Sequence, residues 1–148
     1  MKTIHAAVLY SLCIASALLP AAAGAVPAEA ALVFSPKALI TSDITVGKGA
    51  VAGATSTVTI HYTGWLYAPR APKMRGNKFD SSIGGAPFSF KVGAGAVIRG
   101  WEEGVKGMRV GGKRQLIVPA SMGFGKDGLG PVPSTANLLF EIELVDVK

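Results

Sequence analysis

Apolar and polar residues alternate along several stretches of this chain. In STVTIHY, Val58, Ile60 and Tyr62 fall on one side of an extended backbone, with Thr57, Thr59 and His61 on the other. PFSFKVG repeats the arrangement with Phe88, Phe90 and Val92. KRQLIVP (113–119) and LLFEIELVDV (138–147) complete the set. In the last, Leu138, Phe140, Ile142 and Leu144 share a face opposite Glu141, Glu143 and Asp146. Successive side chains of a strand point to opposite faces, so this alternation predicts an antiparallel sheet covered on one side. The strand signals begin near Leu39.

Only AVIRGWEEGVKGM (96–108) carries a helical period. Ile98, Trp101 and Val105 fall at i, i+3 and i+7, while Arg99, Glu102, Glu103 and Lys106 occupy the other side. A helix this short is marginal alone, and each interior glycine costs it about 1 kcal/mol relative to alanine. Gly100 and Gly104, one turn apart, predict that the helix backbone comes close to the sheet. Gly107 and Gly111-Gly112 then punctuate the return to the strands. The predicted class is α+β, a curved antiparallel sheet with one short α-helix.

The first thirty residues follow neither period. Lys2 and His5 precede AAVLYSLCIASALL, an apolar run of signal-peptide length that ends at Pro20. It is shorter than the ~20 residues needed to span a bilayer. AAAGAVPAEAA then offers small-x-small cleavage sites, with Ala23-Gly24-Ala25 preferred over Ala21-Ala22-Ala23. The expected organisation is a signal peptide at 1–25, a linker at 26–38 and one domain at 39–148. Such a protein is exported, to a periplasm or the medium, with an organelle lumen as the alternative, and is not stably inserted in the membrane after cleavage.

The composition removes much of the usual chemistry. The single cysteine, Cys13, lies in the leader, so the mature chain has no disulfide, thiol nucleophile or cysteine-ligated metal. His61 is the one histidine left after cleavage, and strand alternation points it away from the apolar face, as a surface or hydrogen-bonded residue. A Ser-His-Asp triad and a His/Cys metal site are therefore unsupported. VGKGAVAG (46–53) lacks the phosphate-loop spacing and reads as a turn. Glu102 and Glu103 are adjacent on the outer helix face, which is not the arrangement of a carboxylate pair in glycoside hydrolysis. No metal and no cofactor are expected, and an enzyme built this way works without a nucleophile or histidine base.

The formal net charge is +6. The densest basic group, RAPKMRGNK (70–78), reads as a Pro/Gly-containing loop with no aromatic between its charges. A nucleic-acid groove uses stacking aromatics along such a path, so no nucleic-acid partner is expected. A solvated, solubilising loop is the preferred reading; attraction of anionic partners or surfaces is the alternative.

HYTGWL (61–66), KFDSS (78–82), PFSF (87–90), VIRGWEEGV (97–105) and the closing LLFEIELVDV occur in an order that resembles the FKBP-type peptidyl-prolyl cis-trans isomerases. The resemblance covers about residues 39–148. It implies a half-open antiparallel sheet wrapped around the short helix, with a hydrophobic pocket between the two. By the same resemblance Asp80, Tyr62 and Trp101 are the catalytic residues, Trp101 forming the pocket floor. Phe79, Phe88, Val97, Ile98, Phe124, Val132 and Phe140 are the implied substrate-binding residues, the Ile98 N–H holding a ligand carbonyl.

Two departures stand out. Phe124 occupies a position where the family usually has a tyrosine, whose hydroxyl bonds a bound carbonyl. SSIGGAPF is short and lacks the arginine many members place near the aspartate. Apart from these two, the 67–78 loop is longer than in minimal members. The implied activity is isomerisation of X-Pro bonds in exported polypeptides by a monomer, with macrolides as further ligands. Two other readings remain: a binding module for proline segments or macrolides with little turnover, and adhesion through the basic loop.

Overall fold

The structure, a computed structural model, describes residues 34–148; the expected signal peptide and the first part of the expected linker lie outside them. The strands are β1 (Ile40–Thr45), β2 (Thr57–Tyr67), β3 (Arg75–Ser81), β4 (Phe88–Lys91), β5 (Lys113–Val118) and β6 (Leu138–Val147), with helix α1 (Arg99–Gly104) between β4 and β5. The sheet order is β1-β5-β6-β2-β3, with β4 also paired to β2. All of these pairings are antiparallel. One edge of β2 is thus divided, its first residues pairing with β4 and its last with β3. Among the described residues no helix is long and apolar enough to cross a membrane.

The period-two pattern becomes the buried inner face. Val58 and Ile60, Phe90 and Val92, Leu116 and Val118, and Leu138, Phe140, Ile142 and Leu144 form one core with Trp101 and Val105. Strict alternation after Leu144 would turn Asp146 inward. Instead Ile60 pairs with Leu144 and Thr59 with Asp146, leaving Val145 as an extra residue in β6. This bulge shifts the phase, so Asp146 stays exposed and Val147 packs on the core.

The outer face is less polar than alternation predicts, because Ile117 and Leu139 are also buried. Leu139 faces Trp65 on one side and Ile117 on the other, and Ile117 faces Ile40, making a short apolar row across four strands.

The helix sits against β5 as its glycines require. A Cβ on Gly100 would lie 2.5 Å from Val118 Cγ1, and one on Gly104 would lie 2.5 Å from Leu116 Cδ1. The carbonyls at the helix end are orphans of the helical ladder. Arg114 of β5 takes one of them, donating from Nη1 to Gly104 O at 2.9 Å, and donates also to Lys106 O in the turn that follows, at 3.1 Å. Its Nε donates to Asp43 Oδ1 of β1 at 2.6 Å.

The basic segment differs from its reading as a loop. Pro72–Met74 form a 3₁₀ turn and Arg75–Lys78 belong to β3. Arg75 is not a solvated charge: it pairs with Glu141 and lies 4.3 Å from the Trp65 ring centroid.

Candidate active site

Tyr62 is the first residue of the inward row of β2 that the core does not fully cover. Around it Phe79 and Asp80 come from β3, Val97 and Ile98 from the entry to α1, Trp101 from α1, Phe124 from the loop before β6 and Phe140 from β6 itself. These eight residues line a cavity of about 160 Å³. An apolar cavity of about 150 Å³ accommodates benzene, so this one suits a five- or six-membered ring.

Trp101, 7% exposed, is the floor. Its indole lies 4.7 Å from the Tyr62 ring and 5.3 Å from that of Phe140, both edge-on, and Phe79 meets Phe140 edge-on at 5.6 Å. Edge-to-face packing suits the aromatic quadrupoles and fixes the rings relative to one another. It also depends on Gly64 in the middle of β2, where a Cβ would fall 2.7 Å from both the Phe140 and Phe79 rings. Gly64 was given no role from the sequence, although a glycine inside an eleven-residue strand is itself a sign of close approach.

The polar content of the cavity is concentrated in one bond. Tyr62 Oη donates to Asp80 Oδ2 at 2.7 Å, and Ser81 N donates to Asp80 Oδ1 at 2.8 Å. Burial, followed by the hydrogen bond and charge of Asp80, pushes the Tyr62 phenol up to about 12. The phenol is therefore a firm donor throughout the neutral range. Among the described residues Asp80 has no cationic partner. At the entry to α1, the Ile98 carbonyl accepts from Trp101 N at 3.0 Å, while the Ile98 N–H has no partner among the described residues. Trp101 Nε1 is likewise buried without a partner.

Eight of the ten expected site residues thus meet in one cavity, and two do not line it. Phe88, at the start of β4, is 41% exposed and packs edge-on outside the cavity against Trp101 at 5.9 Å and Tyr62 at 6.3 Å. Val132 is 4% exposed and belongs to the core beneath the loop. His61 lies on the opposite face of β2, half-buried, with Nδ1 3.0 Å from Ser82 Oγ. Among the described residues no three His, Cys, Asp or Glu side chains are grouped to hold a metal.

A half-open sheet over a short helix encloses an aromatic cleft, with the size for an apolar ring, whose phenol and carboxyl are already bonded to each other. The family of FKBP-type peptidyl-prolyl cis-trans isomerases matches residues 48–145, and the chain belongs to it. It is 45% identical over 111 residues to an FK506-binding protein of Neisseria meningitidis serogroup B, covering 74% of this chain and 95% of that one. FK506-binding protein 2 of Dictyostelium discoideum is 49% identical over 91 residues, covering 60% of this chain and 63% of that protein. Of peptidyl-prolyl cis-trans isomerase FKBP53 of Arabidopsis thaliana, 43% identical over 116 residues and 76% of this chain, only 23% is spanned. The crystal structure of FkpA from Escherichia coli superposes with a TM-score of 0.64 at 36% identity, over 74% of this chain and 48% of that one.

Proposed function

We propose that the protein is a peptidyl-prolyl cis-trans isomerase that accelerates X-Pro rotation in exported polypeptides without covalent chemistry. The observation that carries this reading is the Tyr62–Asp80 hydrogen bond at the wall of an apolar cavity floored by Trp101. Resonance across the C–N bond sets a rotation barrier of about 18–20 kcal/mol, and uncatalysed exchange takes tens to hundreds of seconds. Nothing needs to be bonded or cleaved. A catalyst has only to favour the twisted amide, in which resonance is lost, over the planar one. Each ~1.4 kcal/mol removed from the barrier is tenfold in rate.

The residues divide that work. Trp101 supports the pyrrolidine ring, and Tyr62, Phe79, Phe124 and Phe140 wall it. An apolar lining disfavours the polarised planar amide relative to the less polar twisted form. The free Ile98 N–H holds a substrate carbonyl, Tyr62 and Asp80 supply an oriented dipole, and Val97 shapes the entry. FK506-type macrolides are proposed to enter the same cavity, in line with the names of the relatives. The protein acts as an exported monomer, its location resting on the leader sequence.

The deciding experiment adds the purified protein to a proline-limited refolding reaction. Shortening of the slow phase at substoichiometric protein is expected. A second reading is supported by Phe124, which brings a ring but no hydroxyl donor to the cavity: a proline-segment binder with little turnover. That protein would act on refolding only stoichiometrically.

A further inference from the structure

Tyr62 sits where the sheet has a gap. On that edge β2 is paired with β4 as far as Ile60–Phe88 and with β3 from Thr63–Ser81 onward, so neither strand supplies a ladder partner to His61 and Tyr62. Two consecutive serines fill the gap. Ser82 Oγ accepts the Tyr62 N–H at 2.9 Å, and Ser82 N donates to Tyr62 O at 2.9 Å. Ser81 Oγ donates to the same carbonyl at 3.2 Å and stands 2.9 Å from Thr63 Oγ1. With Asp80 on the hydroxyl, three successive residues grip one tyrosine at its phenol, its carbonyl and its amide.

We infer that Ser82 is a positioning residue for the isomerase reaction, its hydroxyl replacing the missing strand partner so that the Tyr62 phenol meets Asp80 at the cavity wall. The inference rests on the proposed isomerase function. The geometry makes the side chain, not the backbone alone, responsible. A ladder would satisfy Tyr62 N–H with a carbonyl, whereas here the acceptor is a hydroxyl oxygen, itself fixed 3.0 Å from His61 Nδ1 on the outer face. Without it a half-buried N–H lies unpaired beside the cavity, which is a costly state that the chain relieves by shifting. Any shift of the Tyr62 backbone is delivered to a 2.7 Å bond at the other end of the same residue.

The test is a mutant cycle on the full chain, read as kcat/KM on a proline tetrapeptide, with the urea midpoint recorded for every variant. Ser82→Ala is expected to lower kcat/KM about three- to tenfold, the range of one lost hydrogen bond. Ser82→Thr, which keeps the oxygen, is expected to restore most of it. Ser82→Cys keeps the volume but is a weak acceptor, and carries the test if the alanine variant does not fold. In a Tyr62→Phe background, where no phenol remains to be aimed, the same Ser82 change is expected to cost less than about twofold, since residues acting through one contact are not additive. A merely structural serine would cost the same in both backgrounds, and that result, or unchanged activity in Ser82→Ala and Ser82→Cys, overturns the inference. An inactive wild-type protein would instead overturn the isomerase reading itself.

Discussion

The Tyr62 hydroxyl reaches Asp80 at 2.7 Å from a ring packed edge-on against Trp101, so orientation and protonation of the phenol are set by different neighbours. Trp101 fixes the ring, while burial and Asp80 keep the proton on it. Removing the carboxyl by Asp80→Ala leaves the hydroxyl without its acceptor and removes the one negative charge at the cavity. Because Asp80 is partly exposed, the lower end of a charged hydrogen bond applies, and kcat/KM is expected to fall roughly tenfold with the fold intact. Unchanged turnover in that variant would remove the polar pair from the mechanism and leave desolvation alone. Phe124 offers the opposite experiment. Phe124→Tyr adds a hydroxyl to a ring already in the cavity wall, and is expected to leave kcat/KM equal or raise it by up to about tenfold, with tighter macrolide binding by calorimetry. A clear loss would mean that the added oxygen meets apolar surface where a carbonyl was expected.

Helix α1 has six residues, two of them glycine, and holds its place by contact with β5 and not by propensity. Its predicted approach to the sheet is met at both glycines. Gly100→Ala and Gly104→Ala would drive a methyl group to within 2.5 Å of Val118 or Leu116. Overpacking of this kind costs about 1–3 kcal/mol, against about 1 kcal/mol regained in helix propensity. Each variant is expected to lose up to about 2 kcal/mol net, seen as a drop of up to several degrees in Tm. A rise in Tm in both variants, the propensity gain alone, would mean that the helix floats free of β5. Strands β2, β4, β5 and β6 and this helix were legible because one buried face imprints its period on the sequence, whereas β1, exposed along its whole length, carries no such period. The bulge at Val145 was legible only as a break in phase, the apolar pair Leu144-Val145 followed by Asp146, because the pattern does not say which residue goes unpaired. RAPKMRGNK reads as a loop because Pro72 and Gly76 look like turn residues. Gly76 in fact lies in β3, where a Cβ would come within 2.8 Å of the Leu66 carbonyl, and a sequence does not distinguish a glycine for a turn from one for close approach. The cavity residues were legible through the family resemblance more than through chemistry, and the same resemblance implies Phe88 and Val132 as substrate-binding residues, neither of which lines the cavity.

At the scale of the whole molecule, two ionisable groups, Asp43 and Tyr62, tie stability to pH from opposite ends. Asp43 on edge strand β1 is held below its ordinary 3.8 by the hydrogen bond from Arg114, which outweighs the opposing effect of burial, with the attraction of that guanidinium a smaller addition. A carboxyl whose folded pKa is lowered binds its proton more readily in the unfolded chain. Its contribution is therefore complete above about pH 4 and is lost as the pH falls through the lowered folded value. The Tyr62 phenol works in the other direction. Raised to about 12, it contributes fully below its ordinary value of 10 and loses that contribution between 10 and 12. Because Asp43 is 42% exposed, its pair with Arg114 is worth no more than about 1 kcal/mol. Its reach is larger than its energy suggests, since the same guanidinium holds the Gly104 carbonyl at the end of α1 and that of Lys106 in the turn that follows. Urea midpoints measured across pH are expected to be level from about 5 to 9 and to fall on both sides. In Asp43→Asn the acid-side fall is expected to shrink while the alkaline side stays as it was, and in Tyr62→Phe the reverse. An acid limb that is the same in wild type and Asp43→Asn would move the acid sensitivity to other carboxylates and leave Arg114 with the helix end as its one structural task.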